Sequence, residues 1–240
     1  MHVERDIAYT PNLRLDIYHA QNAPVVVYVH GGGWTHGDKA TDGARRLAPL
    51  AEYGVTVVSV DYTLAPAAVF PQQLDELRAA VAWVRANLPG TEKLGIWGAS
   101  AGAYLGSLLA LSTEDVQAVV HWFGQADLVA SAARSDLEAR LLPFHFEADL
   151  LGTSAEQAQD WSLLPRISPK APPFLIAHGD RDRIVPPTQA YALHHALGQA
   201  GVRSRLELVA GAGHEDAQFD APEMLATTAA WLRTVLRPGR

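Results

Sequence analysis

The sequence predicts one doubly wound α/β domain built on a mostly parallel sheet of eight strands. Three observations carry this expectation. Short β-branched runs alternate along the chain with longer stretches whose apolar residues recur at three- and four-residue spacing. Most of the short runs are apolar at consecutive positions, as strands are when helices cover both faces of a parallel sheet. The 240 residues suit one core, since α/β folds of about 250 residues stay undivided.

The elements follow in order. Val3 to Tyr9 and Arg14 to His19 alternate polar and apolar residues around Pro11-Asn12, which predicts an antiparallel hairpin at the N-terminal sheet edge. Val25 to Val29 and Val55 to Val60 are nearly continuous apolar strands, and between them Asp42 to Tyr53 sets Leu47, Leu50 and Ala51 on one helical face. Gln72 to Asn87 repeats Leu74, Leu77, Val81 and Val84 at helical spacing and stops at Pro89-Gly90. Leu94 to Trp97, Val116 to Val120, Phe174 to Ala177 and Leu206 to Val209 supply the remaining strands. Ala101 to Leu111, Thr188 to Ala200 and Pro222 to Leu236 supply helices, with right-handed crossovers expected. One region breaks the rhythm. Between Phe123 and Pro172 no good strand occurs, only the helical stretches Asp127 to Arg140 and Ser154 to Trp161 around Pro143-Phe144-His145-Phe146. A connection that long usually carries structure or function of its own, so residues 127–169 are expected to form a small helical lid insertion within the single domain.

Composition excludes several classes. With 48% hydrophobic and 19% charged residues the chain is no disordered protein. Nineteen Lys and Arg against 26 Asp and Glu leave a net charge of -7, so no positive field invites nucleic acid. The absence of Cys removes disulfides, Cys-ligated zinc and thiol catalysis. The longest apolar run, Ala23 to Val29, falls far short of the roughly 18 residues a membrane span needs. Met1 to Asp6 leads into no apolar signal, so a cytoplasmic location is expected, with no membrane partner.

The chemistry lies in the turns. Gly98-Ala99-Ser100-Ala101-Gly102 is G-x-S-x-G between a strand and a helix, where a serine takes a strained backbone conformation and glycines admit close backbone approach. The helix opening at Ala101 aims its unpaired N–H groups at any anion beside the serine oxygen. His30-Gly31-Gly32-Gly33-Trp34 follows another strand end, and successive glycines suit a loop whose N–H groups stabilise an oxyanion. A phosphate loop would need a Lys or a G-x-G-x-x-G frame, and neither is present there. A serine nucleophile also needs a base and an orienting acid on later strand ends. His178-Gly179-Asp180-Arg181-Asp182 and Gly211-Ala212-Gly213-His214-Glu215 both follow strands. Ser100, Asp182 and His214 stand in the chain order Ser, Asp, His, at intervals of 82 and 32 residues.

These motifs, together with Asp61-Tyr62-Thr63-Leu64-Ala65-Pro66 and Val185-Pro186, resemble the α/β-hydrolase fold esterases of the hormone-sensitive-lipase type. The match is strongest to the short feruloyl-esterase-like (BD-FAE type) and carboxylesterase branch, and it covers nearly the whole chain. The resemblance implies Ser100 as nucleophile, His214 as base and Asp182, rather than Asp180, as the acid that orients it, with Gly32, Gly33 and Ala101 as oxyanion donors. It departs from the family's D-Y-R-L-A-P at Thr63 and places Ala103 where glycine often follows the serine motif. The first departure removes an arginine that could brace the oxyanion loop.

The expected activity is cofactor-independent hydrolysis of carboxylic esters, short-chain acyl or aryl, with a small-molecule ester as partner and no metal. Trp34, Phe123 and Phe144 are candidates for a substrate pocket, while His194-His195 on a helix suit a surface or half-buried place better than metal ligation, and His121 and His145 suit structural places better than a pocket border. Glu215 is expected to be a solvated carboxylate. Cleavage of an aryl formamide, as in kynurenine formamidases, is the rival activity, and a catalytically silent binding protein on the same fold is the rival of another class. A prolyl-oligopeptidase-type peptidase fits poorly, because 240 residues leave no space for a propeller. With only 29 residues before His30, no large N-terminal cap is expected, so the site should be open and favour small esters. Oligomeric state is left open.

Overall fold

A computed structural model of the chain describes residues 2–132, 150–151 and 158–237. Its eight strands are β1 (His2–Ala8), β2 (Arg14–His19), β3 (Val25–Val29), β4 (Thr56–Val60), β5 (Leu94–Ala99), β6 (Ala118–Trp122), β7 (Phe174–Gly179) and β8 (Ser204–Val209). They form one sheet in the order β1-β2-β4-β3-β5-β6-β7-β8. β1 pairs antiparallel with β2, and β2 antiparallel with β4; from β4 onward every pairing is parallel. The predicted edge hairpin is therefore present.

The central strands are buried at every position, as their unbroken apolar runs require. Alternate side chains then feed two cores. Val27, Val29, Val58, Ile96, Val119 and Ile176 meet α2 (Gln72–Asn87), α3 (Ala101–Ser112) and the helix Thr188–Gln199 on one face. Val26, Tyr28, Val57, Trp97, Val120 and Leu175 meet α1 (Ala48–Glu52) and the helix Pro222–Val235 on the other.

The boundaries differ from expectation in two places. β6 begins at Ala118 rather than Val116, because Gln117 spends both its backbone N–H and its side-chain Oε1 on Leu94 of the neighbouring strand. The predicted helix over Asp42 to Tyr53 is broken into a π-helical turn, Gly43–Leu47, and the short α1. Pro49 lacks the N–H that the carbonyl of Arg45 would accept, and Leu47 N–H reaches back to Asp42 O instead. Of the expected lid, the described parts are the helical turns Leu128–Ala132 and Ala158–Trp161, the 3₁₀ turn Leu164–Arg166 and buried Leu150, whose carbonyl accepts Phe70 N–H. Leu151 and Leu163 are buried as well, and Leu163 N–H donates to Ala126 O; residues 133–149 and 152–157 of the expected lid lie outside the described residues. No described helix is long and apolar enough to cross a membrane.

Candidate active site

Four loops meet beyond the carboxyl ends of β3, β5, β7 and β8, and the predicted residues come together there. Ser100 Oγ–H donates to His214 Nε2 at 2.9 Å, and His214 Nδ1–H donates to Asp182 Oδ2 at 2.7 Å. That direction follows from the carboxylate, which accepts only, and so assigns the imidazole tautomer. Ser100 sits at φ 51, ψ -118, in the strained turn that the G-x-S-x-G context predicts. Such a backbone costs on the order of 1–3 kcal/mol and persists only where neighbours over-determine it. Here Ser100 N–H donates to Trp122 O, Ala103 and Tyr104 N–H donate to Ser100 O, and the flanking glycines allow the contact. A Cβ on Gly98 would stand 2.3 Å from the Gly102 backbone, and one on Gly102 would stand 2.1 Å from Val29 O.

Asp182 is built to stay ionised. Burial by itself would raise its carboxyl, but hydrogen bonds from His178 and His214, the charge of His214 and the Val185 N–H together hold it down to about 2. Ile184 and Val185 N–H both donate to Oδ1 at 2.9 Å, leaving Oδ2 to His214. Buried His178 shares its Nε2–H between Val185 O at 2.8 Å and the same Oδ2 at 3.3 Å. Asp180 turns outward and accepts Gly211 N–H at 2.7 Å, so it ties the two loops that carry Asp182 and His214.

The glycine loop after β3 is shaped by left-handed backbone at Gly32 (φ 112), Gly33 (φ 58) and Trp34 (φ 62). A Cβ on Gly32 would collide with His36 O at 2.2 Å. Gly31 packs on Ala99 and Ser100, which brings the loop against the Ser100 turn. Among the described residues, no protein acceptor pairs with the N–H groups of Gly32, Gly33 or Ala101. Tyr62 stacks on His30 at 4.4 Å and donates to its carbonyl. Thr63, the departure from the family pattern, gives both its N–H and its hydroxyl to Glu76 at 2.7 Å.

Two pocket candidates belong to the core instead. Trp34 has no exposed surface; its ring meets Tyr104 edge-on and its Nε1–H donates to Ala101 O, so it wedges the glycine loop to α3. Phe123 is equally buried and lies edge-to-face under the His214 ring at 5.1 Å, in a cluster with Trp122 and Phe219. Aromatic rings beside glycine-rich loops were needed as floor, not as wall. Phe144 and His145 lie outside the described residues. His121 is buried and bonded to Ser107, His194 pairs with Ser204, and His195 is exposed.

Sequence reasoning missed the arginine pair under the histidine loop. Glu215 is no free carboxylate: Arg45 Nη2 donates to it at 2.6 Å, and Arg46 lies 3.5 Å away. Fully buried Arg46 also donates to Asp220 and to Tyr28, and stacks over Trp122. Glu215, at φ 60, is thereby anchored next to His214. The signal was only the adjacency of two arginines, 170 residues from their partner in the case of Arg45.

Comparison with known proteins agrees with this architecture. The BD-FAE family model matches residues 15–197, a span that includes Ser100 and Asp182 and ends before His214. Esterase LipC of Mycobacterium tuberculosis is 35% identical over 217 residues, covering 80% of this chain and 53% of LipC. Esterase LipQ of the same organism is 30% identical over 230 residues, covering 82% of this chain and 53% of LipQ. The chain thus spans about half the length of these curated relatives. A truncated carbohydrate esterase from gut microbiota superposes with a TM-score of 0.87 at 22% identity, covering 98% of this chain and 96% of that one. An arylesterase superposes at 0.82 with 21% identity, over 98% and 84% of the two chains. Strand order and these neighbours give the α/β-hydrolase fold.

Proposed function

The chain belongs to the BD-FAE family, and from that premise we propose that it is a serine hydrolase of carboxylic esters, with Ser100, His214 and Asp182 as its catalytic residues. The observation that carries the reading is the unbroken hydrogen-bonded chain from Ser100 Oγ through both nitrogens of His214 to Asp182. In this mechanism Ser100 Oγ attacks the ester carbonyl as its proton passes to His214 Nε2. The N–H groups of Gly32, Gly33 and Ala101 receive the oxyanion. His214 then protonates the leaving alcohol, and water deprotonated by the same ring releases the acid from the acyl-enzyme. Asp182 holds the tautomer and offsets the imidazolium charge. No step calls for a cofactor.

Support comes from the esterase names of the two relatives, each of which the chain matches over most of its own length. We further propose one domain with residues 127–169 as its lid, an open site and a preference for short acyl or aryl esters; the cytoplasm is the proposed compartment, to be checked by fractionation of the host. The test is Ser100→Ala assayed on p-nitrophenyl acetate, together with labelling by a fluorophosphonate. The variant should lose about four or more orders of magnitude in kcat and all labelling. Activity within tenfold of the parent, or a parent chain that fails to label, refutes the assignment. Faster turnover of N-formylkynurenine than of any ester in a short-acyl panel would replace ester by aryl formamide as the substrate class.

A further inference from the structure

The far end of the sheet holds a second constellation of chemistry-bearing side chains. His2 and His19 are directly opposite each other in the β1–β2 register, and Glu4 lies two residues along β1 from His2. Side chains two apart on a strand share a face, and so do cross-strand partners, so the hairpin places all three on one side. The imidazoles stack at 5.0 Å and 22°. His19 Nε2–H donates to Glu4 Oε1 at 2.6 Å, and His2 Nε2 stands 3.6 Å from the same oxygen. One ligand atom from each residue lies within 4.8 Å of the others, and this is the group of three such residues found among the described ones. No Lys or Arg pairs with Glu4 among the described residues.

We propose that His2, Glu4 and His19 form a binding site for a divalent transition-metal ion of the zinc, nickel and copper class. Two imidazole nitrogens and one carboxylate suit these borderline ions and not Mg²⁺ or Ca²⁺, which take oxygen ligands. At metal–ligand distances near 2.1 Å, tetrahedral ligands stand about 3.4 Å apart. The His2–Glu4 separation is already close to that, and the His19–Glu4 hydrogen bond opens by less than an ångström to admit the ion. The side chains can make that move, being 71%, 47% and 30% exposed for His2, Glu4 and His19. Water completes the fourth position, as it does in zinc sites with three protein ligands.

The location says what the ion does. β1 is the outermost strand, and its register with β2 shifts between Glu4 and Ile7, where Asp6 takes φ 57. The stretch His2 to Glu4 is thus a short run of pairs beyond an irregularity, and a metal clip across it fastens the sheet edge. Tyr18 pairs with Val57 near the start of β4, so the site lies at the amino ends of the parallel strands, opposite the end that carries Ser100. The ion is a staple and not a catalyst.

The experiment titrates the untagged chain with ZnCl₂ by calorimetry and follows melting by circular dichroism, with MgCl₂ as a parallel arm. One equivalent of Zn²⁺ should bind, and a hundredfold excess over Kd should raise the melting temperature by about 5–10 °C. His19→Ala and His2→Ala should each weaken binding at least tenfold and abolish the shift, with unchanged spectra and melting in the absence of metal; Mg²⁺ should do nothing. His2 is exposed enough that its variant keeps the fold. Absence of saturable Zn²⁺ binding by the parent, or parent-like binding by both variants, overturns the proposal.

Discussion

At the scale of single residues, the site depends on groups kept in one protonation state by their surroundings. Asp182 is ordinarily a 3.8 group and is held at about 2, so its contribution to stability is whole above pH 4 and is lost as the pH falls toward 2. The acid limb of the activity profile should therefore not come from this carboxyl. Asp182→Asn should lower kcat about 10³- to 10⁴-fold with little change in the circular dichroism spectrum, because the amide no longer anchors the productive tautomer. His121 shows the opposite ionic class with the same direction. Burial pushes its imidazole down to about 4 from the ordinary 6.5, so the unfolded chain takes the proton first and stability drains away between those two values as pH falls. Urea melts of the parent and of His121→Gln across pH 7.5 to 4 should diverge, the parent losing on the order of 3 kcal/mol more than the variant. Parallel curves would mean that the ring is hydrated in the folded protein.

At the scale of elements, the tight joints are backbone against backbone. Gly102 opens α3 against Val29 O, so Gly102→Ala forces β3 and α3 apart; a loss of about 3 kcal/mol or insoluble protein is expected, read by urea unfolding and by soluble yield. The π-helical turn Gly43–Leu47 serves the same loop cluster from the other face, since it presents Arg45 and Arg46 to Asp42, Glu215 and Asp220. Removing a partner from a buried ion network leaves the remaining charges unpaired. Arg46→Met should cost about 3–5 kcal/mol in urea unfolding and lower kcat more than it raises KM, as the His214 loop loses its anchor. A variant as stable as the parent would show that the arginine contributes no more than a hydrophobic isostere.

At the scale of the whole molecule, the proposed site faces one end of the sheet and the proposed metal clip the other. The expected openness of the active site is tested by acyl chain length: kcat/KM on p-nitrophenyl esters should peak at short chains and fall beyond about ten carbons, and the reverse trend would mean that the lid region forms a long acyl groove.

Much of this organisation was legible in the chain before any coordinates. Val25 to Val29 and Phe174 to Ala177 announce buried parallel strands by composition, and Ser100, Asp182 and His214 announce themselves by standing in glycine-rich turns after such strands. What stayed hidden is of one kind. Whether Trp34 and Phe123 line a pocket or floor a loop depends on which side of the turn the backbone closes; both take a positive φ and both rings are fully buried. Local sequence thus determined the strands, the helices and the turns that carry chemistry, because hydrophobic period and glycine placement are properties of neighbouring residues. Tertiary structure alone decided that β3 sits between β4 and β5, that Arg45 meets Glu215 and that His2 faces His19. Crossovers, strand register and burial bring together residues far apart in the chain, and no short-range pattern encodes that distance.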